Sequence, residues 1–256
     1  LLIRPFQPSD VDAGMRLKQF AGWNQVPEDW MGLLQLDPEG CFIGEIDGSV
    51  VGTATGLRFD ERLGWIGMVL VDPDFRRRGI ATRLMLHAIE YLESSPCRCL
   101  KLDATDAGAK VYEKMGFQVE YTVERWLRAG RSKNRFEESD ASIRAVEFED
   151  LARIGKWDEP IFGGDRTRLL EWYLTRCKAY WLRRAEAPEG FVFGRPGSNA
   201  FQIGPLAADT IEVAEILFRR LLAEVPGDRV IADIVTPNAA ATSMLEAHGF
   251  QRFRVL

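Results

Sequence analysis

The sequence predicts an α/β chain of the α+β kind: two domains in tandem, each a mixed, mostly antiparallel sheet flanked by helices. Three observations predict it. The chain has 256 residues, enough for two domains of about 110–130 residues that each bury their own core. Short segments rich in β-branched and aromatic residues alternate with segments of helical period. The order of these segments then repeats after a polar stretch, and the repeats end alike. Tyr112-Glu113-Lys114-Met115-Gly116-Phe117-Gln118 lines up with Leu245-Glu246-Ala247-His248-Gly249-Phe250-Gln251, so the halves read as an internal duplication.

In the first half, Leu2 to Phe6 reads as a strand. Ser9 or Asp10 can cap a helix running toward Phe20 with Gly22 past its end, and Pro27 to Leu36 suits a second helix. Cys41 to Ile46 and Val50 to Phe59 form a hairpin, because Asp47-Gly48 between them accepts the positive φ angles of a tight turn. Leu63 to Val71 is the next strand, and Asp72-Pro73 ends it. A helical pattern from Gly79 carries Leu84, Ala88 and Leu92. Cys99 to Ala104 is then a strand, Gly108 to Met115 a short helix and Gln118 to Trp126 a last strand. These elements place a first domain at 1–128. From Arg128 to Asp140 the chain turns polar and loses apolar period, which marks a linker over 129–141.

A second domain, 142–256, begins with a strand at Ile143 to Val146 and helices around Leu151 to Gly155 and Thr167 to Lys178. Strands follow at Ala179 to Arg184, Phe191 to Arg195 and Phe201 to Leu206. The helix Ile211 to Leu222, the strand Val230 to Ile234, the helix Asn238 to Ala247 and the strand Phe250 to Val255 complete it.

The stretch Val71-Asp72-Pro73-Asp74-Phe75-Arg76-Arg77-Arg78-Gly79-Ile80-Ala81 joins a strand end, a bend and a helix start. A helix N-terminus offers unpaired N–H groups and about half a positive charge, and Gly79 and Ala81 leave room for a phosphate to approach them. Three arginines in a row are also compatible with a solvated basic run or part of a nucleic-acid patch. The order strand, Arg-x-x-Gly-x-Ala, helix resembles the acyl-CoA-binding motif of the GCN5-related N-acetyltransferases (GNAT). The βααβββαβαβ order of the first half matches that fold. Phe162-Gly163-Gly164-Asp165-Arg166, with Ile203-Gly204-Pro205-Leu206 downstream, resembles the C-terminal domain of a bacterial subfamily of tandem GNAT proteins. The second half departs from the motif after Leu206, where Ala207-Ala208-Asp209-Thr210 brings no arginine, no glycine and a carboxylate that would repel phosphate. It is expected to be a degenerate GNAT-like domain without a phosphate cradle.

The resemblance implies an acetyl-CoA-dependent N-acetyltransferase that moves an acetyl group to a small-molecule amine by direct attack. Acetyl-CoA would be a co-substrate. Its pyrophosphate would be held by the backbone amides from Arg77 through Arg78, Gly79, Ile80 and Ala81 to Thr82, with Arg76 and Arg78 adding charge. Amides two residues apart on a strand face the same way, so Val69 and Val71 can both bond one extended ligand. Gly67 is a reasonable place for the bulge that splays this strand. Val69 N–H would polarise the thioester carbonyl. Tyr112 stands at the family's general-acid position; its phenol could instead pack at a helix end. Acceptor recognition is expected from Trp23, Asn24, Gln25 and Trp30, with Glu28 and Asp29 beside them, although Trp30 could equally anchor the second helix. The strand Trp-Ile-Gly-Met-Val-Leu-Val carries no acidic residue, so no base is assigned. A non-catalytic acyl-CoA sensor is the alternative this leaves open.

Composition narrows the partners. Hydrophobic residues make up 46% and charged residues 28%, which suits a folded globular chain. A net charge of −5 makes nucleic acid an unsuitable main partner and fits a local cationic site for a small polyanion. Cys41, Cys97, Cys99 and Cys177 lack Cys-x-x-Cys spacing, and only His87 and His248 could join them, so no metal site and reduced thiols are expected. No apolar run approaches 18 residues and no signal-peptide layout begins the chain, so a soluble cytoplasmic protein without membrane contact is expected. The oligomeric state is left open.

Overall fold

The computed structural model describes residues 1–130, 142–184, 187–225 and 229–255. The fold is mixed α/β, with two sheets of mostly antiparallel strands flanked by helices. The chain folds as two compact units, Leu1–Asp103 with Gly163–Asp165, and Ala104–Phe162 with Arg166–Leu256.

The first unit contains β1 (Leu2–Pro5), α1 (Val11–Ala21), α2 (Pro27–Leu36), β2 (Cys41–Ile46), β3 (Ser49–Arg58), β4 (Leu63–Val71), α3 (Ile80–Glu93) and β5 (Cys99–Leu102). Its five strands lie in the order β1-β2-β3-β4-β5, antiparallel except for the β4/β5 pair. Neighbouring positions on β2 send side chains to opposite faces. Ile43 joins a core of Phe6, Leu17, Trp30, Cys41, Met68 and Leu70, to which α1 and α2 contribute. Phe42 meets the His87 ring of α3 edge-on at 4.6 Å. A Cβ on Gly52 would stand 2.8 Å from Leu84 Cδ1 and 2.9 Å from the Leu70 carbonyl, so glycine lets β3 approach α3. Gly163–Asp165 joins this unit through the Asp165 amide, which donates to Asp60 Oδ2 at 3.0 Å.

The second unit contains α4 (Asp106–Glu113), β6 (Thr122–Ala129), β7 (Ile143–Ala145), α5 (Leu151–Phe162), α6 (Thr167–Leu174), β8 (Lys178–Arg184), β9 (Ala187–Arg195), β10 (Phe201–Ala208), α7 (Ile211–Leu222), β11 (Arg229–Thr236), α8 (Ala239–Ala247) and β12 (Gln251–Val255). Its seven strands run in the order β12-β6-β11-β10-β9-β8-β7. On one face Leu217, Phe218, Leu221 and Leu222 of α7 pack with Tyr180, Val192, Ile203 and Val230. Side chains of the alternate positions, Trp181, Phe191 and Phe193, form a second core with Leu151, Ile154 and Leu170 of α5 and α6.

Three expectations shift. The short helix near Leu151 runs on to Phe162, anchored by fully buried Asp158, whose carboxylate accepts from Arg166 Nε at 2.6 Å. The helix expected to reach Lys178 stops at Leu174, because Lys178 pairs with Gly194 as the first residue of β8. The strand expected at Gln118 to Trp126 is Thr122–Ala129, and it pairs with β11 and β12. The compact units divide at Asp103. Of the expected linker, residues 131–141 lie outside the described residues.

Candidate functional site in the first unit

The centre of the site is the second half of β4. Leu63 through Ile66 pair with Cys99 through Leu102 of β5, and the pairing stops there. Gly67 to Val71 continue alongside β3 beyond the end of that ladder. Asp72 N–H donates to the Val51 carbonyl at 2.9 Å, toward β3. Strand alternation turns the Val71 amide to the other edge, and the Val69 amide shares that direction. Both side chains are half-buried.

The β3/β4 register slips within this stretch. Thr53 opposes Leu70 and Thr55 opposes Gly67, so Met68 and Val69 stand against the single residue Ala54. Met68 sits at φ 50. The bulge falls at Met68, one residue beyond the expected Gly67. The Thr53 hydroxyl, fully buried, donates to the Met68 carbonyl at 2.7 Å.

Beyond β4 the chain makes one 3-10 turn, Pro73–Phe75, in which the Asp72 carboxylate accepts from the Asp74 amide at 3.1 Å. Burial pushes the Asp72 carboxyl up, but the Arg16 guanidinium at 2.5 Å and the Asp74 amide outweigh it and hold the group below the usual carboxylate range. Arg16 also donates to the Val50 carbonyl at 2.7 Å, so α1 braces the end of β4. Arg77 (φ 60) and Gly79 (φ 76) then take left-handed conformations. The first bond of α3 is Arg83 N–H to the Gly79 carbonyl at 3.1 Å, so the amides of Arg77 to Thr82 precede the helical ladder. Arg76, Arg77 and Arg78 are exposed. Arg76 Nε donates to the Val71 carbonyl at 3.3 Å, and Arg78 lies 5.0 Å from the Phe75 ring centroid. A Cβ built on Gly79 would meet nothing within 4 Å, so the approach to this helix start is open.

The corresponding helix start in the second unit differs. Thr210 caps α7 by accepting from the Val213 amide at 3.3 Å, and Glu212 lies in the first turn. At α3 the N-cap is Gly79, which has no side chain to cap with, and no acid stands in the first turn. One helix start is open to an anion; the other is already occupied by its own hydroxyl and faces a carboxylate.

The expected acceptor residues separate. Trp30 is 1% exposed, its indole stacked on Phe6 with centroids 5.1 Å apart and packed over Gly14. These contacts fit the alternative in which Trp30 anchors the second helix, its area spent on the α1/α2 core. Asn24 is also buried, whereas Trp23 and Gln25 are half-buried. Lys18, 3% exposed, donates to the Trp23 carbonyl at 3.2 Å, and Asp29 accepts from the Val26 amide at 2.9 Å, which fixes both ends of this loop. Burial lowers the Lys18 pKa against the opposing pull of Asp29. Gln25 Oε1 is buried and takes no hydrogen bond among the described residues.

Tyr112 belongs to α4 in the second unit. Its ring lies over Gly108, where a Cβ would stand 2.8 Å from Cε2, and 6.4 Å from the Phe117 ring centroid. Burial raises its phenol pKa. In the second half Leu245, 1% exposed, occupies the matching place. The Phe117 amide donates to the Tyr112 carbonyl at 3.1 Å and the Phe250 amide to the Leu245 carbonyl at 3.0 Å, with Gly116 (φ 94) and Gly249 (φ 80) ending both helices.

Thr53, Met68 and Arg16 are additions that the sequence did not single out. A threonine in a strand and a methionine among apolar residues carry no local mark of a bulge, and the Arg16–Asp72 pair spans 56 residues.

Comparison with known proteins gives the family. Profiles described as "Acetyltransferase (GNAT) family" and "Acetyltransferase (GNAT) domain" match residues 8–117 and 154–255. An acetyltransferase of Yersinia enterocolitica is 30% identical over 128 residues, 47% of this chain and 90% of that protein. Holothin acyltransferase of a Pseudoalteromonas species is 24% identical over 232 residues, 90% of this chain and 77% of that one. The uncharacterized N-acetyltransferase YitH of Bacillus subtilis is 27% identical over 252 residues, 94% of this chain and 85% of the other. In fold, a proposed acetyltransferase from Pyrococcus horikoshii superposes with TM-score 0.83 at 23% identity, covering 99% of this chain and 86% of that one. A tandem GNAT protein from the clavulanic acid biosynthesis pathway gives 0.67 at 16%, covering 99% and 96%. With both halves matched and the open strand edge leading into an uncapped helix start, this chain belongs to the GNAT acetyltransferase family and carries two GNAT domains in tandem.

Proposed function

We propose that the chain transfers an acetyl group from acetyl-CoA to the amine of a small molecule, by direct attack and at one site per chain. The observation that carries this reading is the β4 edge from Gly67 to Val71, beyond the β5 ladder and continuous with the open start of α3. An extended pantetheine arm can pair with Val69 and Val71 as an added strand. The pyrophosphate would meet the amides of Arg77 to Thr82 with Arg76 and Arg78 alongside, where a helix N-terminus and positive charge act together.

In the reaction the amine lone pair attacks the thioester carbon, and negative charge gathers on the carbonyl oxygen. Val69 N–H would stabilise that charge. As the carbon–sulfur bond breaks, the Tyr112 phenol gives its proton to the thiolate. Burial, which raises the phenol pKa, keeps that donor protonated over the working range. The amine loses its proton to solvent or to a base outside β4, whose sequence holds no carboxylate. Trp23, Asn24 and Gln25 are assigned to acceptor recognition, with Gln25 Oε1 as an acceptor for an N–H group. The relative named for acylation of holothin supports a small-molecule acceptor.

Titration calorimetry with CoA tests the reading. One site per chain is expected, lost in Gly79→Asp with Arg76→Glu. Aspartate is among the few residues that visit the left-handed conformation, and the two changes add negative charge where the pyrophosphate would sit. Two sites per chain, or undiminished binding in the double variant, overturns it. Binding without acetyl transfer to any amine in a broad panel would reassign the chain as an acyl-CoA sensor.

A further inference from the structure

Val69 N–H can polarise a carbonyl only if β4 holds it at the open edge, and the backbone there is held in an unfavoured conformation. Met68 lies at φ 50, in the left-handed region that residues with a Cβ avoid. Such a conformation persists where its surroundings over-determine it. Two groups do so. The Met68 side chain is packed into the core with Trp30, Phe6 and Leu70. The Met68 carbonyl, turned out of the regular ladder by the bulge, accepts from the Thr53 hydroxyl at 2.7 Å in a place where Thr53 is fully buried.

We propose that Thr53 is a positioning residue for acyl transfer: its hydroxyl pins the Met68 carbonyl, fixes the bulge, and thereby aims Val69 N–H at the thioester carbonyl. This rests on the assignment of Val69 made above. Thr53 touches neither substrate nor cofactor in this scheme. Without its hydroxyl, the buried Met68 carbonyl loses its donor and the strand can relax toward regular pairing with Ala54. The Val69 amide then turns away from the edge while Val71 and the helix start, on the far side of the slip, keep their places. Rate should suffer more than CoA binding.

The test compares Thr53→Val, which keeps the shape and removes the O–H, with Thr53→Ser, which keeps the O–H. Removing an oxyanion donor outright costs about 10²–10³-fold in rate, so a misaimed one should cost about tenfold or more. The Val variant should lose that much in single-turnover acetyl transfer while its CoA dissociation constant moves less than about twofold, and the Ser variant should stay within about threefold of the parent rate. An unchanged rate in Thr53→Val, equal losses in both variants, or a rate loss matched by a loss of CoA affinity would overturn the proposal. A crystal structure of the unaltered protein with CoA tests the same point without substitution. Positive φ at Met68 with the Thr53 bond retained beside the pantetheine is expected, and a straightened β4 would count against Thr53. CoA bound away from β4 would instead remove the assignment of Val69 on which Thr53 depends.

Discussion

Tyr112 shows how one atom separates a catalytic role from a packing one. Tyr112→Phe keeps the ring over Gly108 and beside Phe117 and removes only the proton donor. Single-turnover transfer should then fall by about 10²–10⁴-fold, the usual cost of losing a general acid, with CoA affinity unchanged. The defect should ease as pH falls, because solvent can then protonate the leaving thiolate. An unchanged single-turnover rate would remove Tyr112 from the reaction. The single-turnover format matters because slow product release can mask a chemical defect. At this scale the arginines and Gly79 were legible in the sequence, since a strand end, a basic run and a glycine ahead of a helix form a contiguous pattern. Met68 was not. A left-handed methionine inside an apolar run looks like any other strand residue, and the neighbouring glycine drew the bulge one position away. The Thr53 bond that holds it joins residues 15 apart and leaves no local trace.

Among the elements, the two helix starts and the α1/α2 pair decide how binding and stability are distributed. α3 begins on a left-handed glycine without a side-chain cap, whereas α7 begins on Thr210 and Glu212. The sequence indicated this contrast through the missing glycine and arginines after Leu206, and the Thr210 cap supplies a further physical reason. Element order was legible throughout the first unit because its helices and strands carry clean periods. Trp30 was harder, since an indole near two acids suits either a cleft or a core, and only its stack on Phe6 distinguishes them. Trp30→Ala should destabilise the first unit by about 3–5 kcal/mol, the range for emptying a large aromatic site in a core. Chemical denaturation would show it as a lowered midpoint with the CoA stoichiometry still one per chain. A midpoint equal to that of the parent would show that α1 and α2 do not depend on this side chain and would reopen the acceptor assignment for Trp30.

For the whole molecule, the compact units are not the sequence halves. Residues 104–130 come from the first repeat but join the second unit, and Gly163–Asp165 makes the reverse exchange. β6 lies between β11 and β12, in register with β11 from Thr122↔Thr236 to Ala129↔Arg229. The pattern of β6 indicates that it is a strand; its choice of partner depends on residues 100 or more positions away, which period and composition do not encode. The consequence can be tested by cutting the chain. Residues 142–256 contain the whole second repeat but lack β6, so β11 and β12 lose the strand that both pair with, and the core loses Trp126, 5% exposed among Phe250, Val230 and Ala232. Unpaired inner edges expose a row of N–H and C=O groups and invite aggregation. Expressed alone, 142–256 should lack a cooperative thermal transition, whereas 104–256, with β6 restored, should melt in a single transition. If the shorter fragment melts cooperatively at the same temperature as the longer one, β11 and β12 can close the sheet on each other, and the inserted strand is dispensable to the second unit.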